Sequence, residues 1–117
     1  MKAATWKRKI TDNCKAAGTY REFFDPVIDT LASILEKRDE AEAAFDGNII
    51  VEHTNKAGAT NREQNPMLRL INDYNRDALA YWTSLGLTPK GLKTIDEQAM
   101  KPKKRSALAE ALKELNG

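Results

Sequence analysis

Apolar positions recur along this chain with helical spacing in three stretches, and one further stretch is dense in β-branched residues. Trp6, Ile10, Cys14 and Ala17 fall on one side of a helix predicted over 5–17, and Gly18 stands where a left-handed residue closes such a helix. Thr19-Tyr20-Arg21-Glu22 has the form of a capping box, and Asp25-Pro26 reads as an N-cap followed by proline in the first helical position. A short turn is allowed before a second helix from Pro26 to about Phe45. Its inner side takes Val27 or Ile28, Leu31, Ile34 or Leu35, Arg38, Ala41 and Phe45, and Glu36, Lys37, Asp39, Glu40 and Glu42 take the outer side. The connection is short, so these two helices are expected to form an antiparallel hairpin.

Asp46-Gly47-Asn48 ends the second helix, and Ile49 to Thr54 is the one strongly β-prone stretch. Turn residues Asn55-Lys56-Ala57-Gly58 and a return over Ala59 to Glu63 give a short β-hairpin. A two-stranded hairpin is marginal in water, so it is expected to lie against the helices or against another subunit. Asn65-Pro66 starts a long third helix to Leu85. Met67, Leu70 or Ile71, Tyr74, Ala78, Tyr81 and Leu85 form its stripe, and Leu68, Leu79 and Trp82 widen it. That stripe is broad for a helix with a single neighbour, so Met67, Ile71, Tyr74, Tyr81 and Trp82 are expected at an oligomer interface. Gly86 stops this helix, and Thr88-Pro89 starts another, with Leu87 and Leu92 at the positions of a hydrophobic staple. Ser106 caps a last short helix with Leu108, Leu112 and Leu115 on one face. The fold class is therefore mainly α: a helical hairpin, a β-hairpin, and a long third helix followed by shorter ones. Residues 1–100 form the domain, and 101–117 form a basic linker and terminal helix.

At 117 residues, with 41% hydrophobic and 31% charged residues, the composition suits one globular domain. A net charge of +2 says little about partners, but its distribution does. Lys7, Arg8, Lys9 and Lys15 cluster near the beginning of the chain, and Lys101, Lys103, Lys104 and Arg105 form a second group. The first group reads either as a solvated face or as a set of phosphate contacts. The second reads either as a flexible tail that touches DNA or as a linker to a helix that docks another protein. Trp6 either packs in the core, the favoured reading, or stacks on a base. No apolar run is long enough for a membrane span, and a cytoplasmic location is expected.

Catalytic and metal chemistry finds few residues. A single cysteine, Cys14, excludes an internal disulfide and suits a buried position. His53 is the only histidine and has no second ligand beside it, so an ordinary strand residue is expected and no metal or cofactor. Asp73 and Asp77 share a helix face, but with Asn72, Asn75 and Arg76 around them a solvated or salt-bridged surface is the simpler reading.

Val51 to Asn61, then Asn65-Pro66, then Leu85-Gly86-Leu87-Thr88-Pro89, together with Thr5-Trp6-Lys7 and Phe24-Asp25-Pro26, resemble a family of small subunits of phage terminases. The resemblance runs from about Lys2 to Ile95. It implies a non-enzymatic protein that recognises viral DNA when packaging begins. Such a protein works as a homo-oligomer, typically a ring, and hands DNA to a terminase large subunit that holds the ATPase and nuclease. No phosphate-binding Gly-x-x-x-x-Gly-Lys-Ser/Thr loop occurs in the sequence, in keeping with that division of labour. The resemblance favours DNA contact by the basic groups. The alternative is a protein-interaction module that regulates a partner enzyme and has little DNA affinity of its own.

Overall fold

The computed structural model describes residues 1–97; the basic cluster Lys101 to Arg105 and the helix expected from Ser106 lie outside the described residues. Helix α1 (Ala3–Ala17), a 3-10 turn (Glu22–Phe24), helix α2 (Asp25–Ala44), strands β1 (Ile50–Thr54) and β2 (Thr60–Gln64) and helix α3 (Pro66–Ser84) follow in order. A further helical segment occupies 89–97. Among the described residues the expected architecture is the observed one, with α1 beginning two residues earlier than its apolar pattern indicates.

The core sits among α1, α2 and α3. Ile10 and Cys14 from α1, Ile28, Leu31, Ala32 and Leu35 from α2, and Ala78 and Leu85 make one buried cluster. Of the paired choices on α2, Ile28 and Leu35 are inside, while Val27 and Ile34 pack partly buried at its margin. Ala17, the last residue of α1, is exposed. Glu36 reaches across from α2 and accepts from the free backbone N–H of Ala3, so α2 caps the start of α1.

Gly18, at φ 74°, ends α1 in a Schellman turn: its N–H donates to Lys15 and that of Thr19 to Cys14 at 2.9 Å. Gly86, at φ 73°, does the same for α3, with Leu87 donating to Trp82. The expected capping box at Thr19 does not form. Thr19 belongs to the first of these turns, is buried, and donates its hydroxyl to the Cys14 carbonyl. Asp25 is likewise not an N-cap, because the 3-10 turn runs straight into α2 and leaves no extended residue to cap from. Its carboxylate accepts from the Tyr20 hydroxyl at 3.0 Å.

Asn65 and Thr88 do cap as the sequence indicates. Asn65 Oδ1 accepts from Met67 N, and Thr88 Oγ1 accepts from Gly91 N. Asn65 also donates through Nδ2 to the Asn48 carbonyl at 2.8 Å, tying the base of the hairpin to the start of α3. The strands pair antiparallel with Glu52 opposite Arg62, and Asn55 Oδ1 braces the turn by accepting from Ala57 and Ala59. Of residues 50–64 all are exposed except Val51, which is half-buried. Of the two expected settings for the hairpin, burial against this chain's own helices is therefore not seen among the described residues.

Candidate nucleic-acid interface

On α1, the side opposite buried Ile10 and Cys14 carries Arg8 and Lys15, seven residues apart and so two turns along one line, with Lys9 beside them. All three are exposed, and Asp12 is the one acid among them. Lys15 lies over the Tyr20 ring at 5.1 Å, and Lys9 lies 5.9 Å from the centre of the Trp6 ring. Contacts of this kind hold flexible stems without neutralising their charge. Lys15 also stands in the last turn of α1, where a cation favours the helix dipole.

Lys7 is placed differently. Its ammonium pairs with Asp29 of α2 at 2.9 Å. The hydrogen bond that Lys7 donates to Asp29, and then the Asp29 charge, raise the Lys7 pKa, so the group stays cationic while facing α2. On α2, Asp29 and Glu36 reach to α1, while Glu40 and Glu42 are exposed along with Lys37. Lys7 is thus engaged within the helical pair, while the exposed charges of Arg8, Lys9 and Lys15 are open to approach by a polyanion. Four of the eight expected cations, Lys7, Arg8, Lys9 and Lys15, fall on α1; the others lie beyond residue 97.

The residues expected at an oligomer contact divide. Ile71 is buried in this chain, whereas Met67, Tyr74, Tyr81 and Trp82 are half-buried, the last two packed against the core. Further apolar surface is exposed at Leu70 and Leu79 of α3, at Ile49 and Ile50 at the start of the hairpin, and at Phe23. Phe23 in the 3-10 turn is 73% exposed and meets Phe24 edge to face. Sequence periodicity had no means of finding it, since a 3-10 turn of three residues has no apolar period to break.

Catalytic groups do not converge. Asp73 pairs with Arg76, and His53 pairs with Glu63 at 2.8 Å. Cys14 is fully buried, and burial pushes its thiol pKa up. Among the described residues no group of three or more His, Cys, Asp or Glu side chains is placed to hold a metal ion, and no helix is long and apolar enough to cross a membrane. A family model described as phage terminase, small subunit, matches residues 3–104. No curated protein and no solved structure matches the chain.

Proposed function

Because the chain belongs to the phage terminase small-subunit family, and its role is accordingly in phage DNA packaging, we propose that it is a non-catalytic subunit that binds viral DNA at packaging initiation. On this reading it acts as a homo-oligomer in the cytoplasm of the bacterial host. It delivers the DNA to, and regulates, a large subunit that carries the ATPase and nuclease. The observation that carries the DNA-binding part is the exposed group of Arg8, Lys9 and Lys15 on α1, turned away from buried Ile10 and Cys14. Side chains of this kind reach phosphates and supply affinity with little sequence information, and repetition in an oligomer multiplies a modest patch.

Fluorescence anisotropy with a duplex at several salt concentrations tests it. Each phosphate contact contributes a slope of about −0.9 in log affinity against log salt. The triple variant Arg8→Ala, Lys9→Ala, Lys15→Ala should flatten the slope by about 2–3 per copy engaged. An unchanged slope and affinity in that variant would reject α1 as the contact.

The second reading, a module that regulates a partner enzyme, is favoured by the exposure of Phe23, since a solvent-facing aromatic ring is a common anchor in protein contacts. Under it, Phe23→Ala abolishes stimulation of the large subunit's ATPase and leaves duplex affinity as it was.

A further inference from the structure

The β-hairpin is the least covered element among the described residues, and its backbone leaves two open edges. Asn65 N–H donates to the Ile49 carbonyl at 2.7 Å and Asn55 N–H to that of Ala59 at 2.9 Å. These closed rungs fix the alternation of an antiparallel ladder. The pairs Val51–Glu63 and His53–Asn61 bond inward. The N–H and C=O groups of Ile50, Glu52 and Thr54 therefore point outward from β1, and those of Thr60, Arg62 and Gln64 outward from β2.

The two edges are complementary. Inside the hairpin Glu52 pairs with Arg62 at 3.2 Å, the Thr54 and Thr60 hydroxyls meet at 3.1 Å, and Ile50 stands opposite Gln64. The outer edge of β1 offers the same row of residues to any strand that carries the β2 row. A second copy of this chain carries it. Joining β1 to a second β1 about its midpoint would set Glu52 against Glu52, and joining β2 to β2 would set Arg62 against Arg62, so only the β1–β2 arrangement keeps the charges matched. Ile49 at 62% and Ile50 at 53% exposure flank a hollow of about 290 Å³ lined also by Arg62, Glu63 and Gln64. A neighbouring strand would cover this apolar ground. Phosphate is a poorer occupant, since Glu52 and Glu63 balance Lys56 and Arg62.

We infer that hairpins of successive copies join edge to edge, β1 of one copy against β2 of the next, in one shared antiparallel sheet. A head-to-tail contact of this kind repeats from copy to copy and is satisfied throughout only when the assembly closes. The inference rests on the oligomeric part of the proposed function and assigns its contact.

The full-length chain is tested in two ways. Glu52→Pro deletes an outward N–H and leaves the inward rungs intact, so light scattering should show at least a twofold fall in mass with the helical circular dichroism retained. Separately, chains carrying Glu52→Cys and chains carrying Arg62→Cys are mixed and gently oxidised; peptide mass spectrometry should find a 52–62 disulfide between copies. An oligomeric wild type whose mass survives Glu52→Pro and which yields no 52–62 link overturns the shared sheet and leaves the proposed function standing. A wild type at 13.1 kDa overturns the oligomeric reading itself. Loss of duplex binding by Glu52→Pro at unchanged mass makes the hairpin a nucleic-acid ribbon and also overturns the shared sheet.

Discussion

The indole Nε1 of Trp6 donates a 2.7 Å hydrogen bond to Oδ2 of Asp39, and this contact locks α1 to α2 from the side of the hairpin remote from its turn. The same carboxylate accepts from the amino terminus at 3.0 Å and from Arg38 through its other oxygen. Arg38 in turn lies 5.5 Å from the Trp6 ring and donates to Asn75 of α3. One acid thus organises three helices at the margin of the core.

Burial alone would push the Asp39 pKa up, but the bonds from Trp6, the amino terminus and Arg38 outweigh it and hold the carboxyl below its ordinary value. A depressed acid contributes stability that is complete above the unfolded pKa, about 3.9, and is lost as pH falls through the lower folded value. The melting temperature of the wild type should therefore drop on acidification below about pH 4. Asp39→Asn should be less stable at pH 7 and flatter in this window. Equal acid sensitivity in both proteins would show that other carboxylates carry the transition.

Asn65 makes two separable contributions, and two substitutions tell them apart. Asn65→Ala removes the cap from α3 and the donor to Asn48, and should cost about 1–2 kcal/mol in chemical denaturation. Asn65→Asp retains the acceptor for Met67 N and places an acid at the positive end of the helix, but cannot donate to the Asn48 carbonyl. Its global stability should stay near that of the wild type while amide exchange at the hairpin base accelerates. If the two variants are equally destabilised, the bond to Asn48 rather than the cap dominates.

Much of this architecture is legible in the chain because local chemistry decides it. Gly18, Asn65-Pro66 and Thr88-Pro89 end or start helices by what their own backbone and side chains do. Thr19 and Asp25 mislead for the same reason: each has a capping side chain, and the tertiary fold gives it another partner. The role of Asp39 is invisible to periodicity, since it lies among charged outer-face residues and acquires its partners only when α1 and α3 arrive. Ile71 and its neighbours on α3 show the limit for the candidate site. A broad apolar stripe says that much surface must be covered, but not which residues this chain covers itself.

Cys14 offers a simple probe of that core. It is fully buried and its thiol is held protonated by burial, while the reactive species is the thiolate. A neutral thiol reagent at pH 8 should modify the folded protein at the rate of unfolding and react at once in denaturant. Rapid labelling under native conditions would mean that the α1–α2 packing opens locally.

The two glycines after α3 answer to different constraints, which substitution separates. At Gly86 a Cβ would lie 2.9 Å from Thr19 Cγ2 and 2.7 Å from Ile95 Cδ1, in a left-handed conformation that side chains disfavour. The two Schellman turns thus pack against each other, and Gly86→Ala should cost about 1–3 kcal/mol in strain, with the contact added. Gly91 has no unusual φ, but a Cβ there would run into the backbone carbonyl of Thr83, which cannot move without disturbing the last turn of α3. Gly91→Ala should therefore unseat the segment 89–97 from α3 while the α1–α2 pair persists, seen as a fast-exchanging C-terminal segment in hydrogen exchange. Gly86→Ala should lower the melting temperature of the whole domain instead, because Thr19 belongs to the same buried set as Ile10 and Cys14. Reversed outcomes would place the cooperative boundary of the fold at Gly86 and not between Thr83 and Gly91.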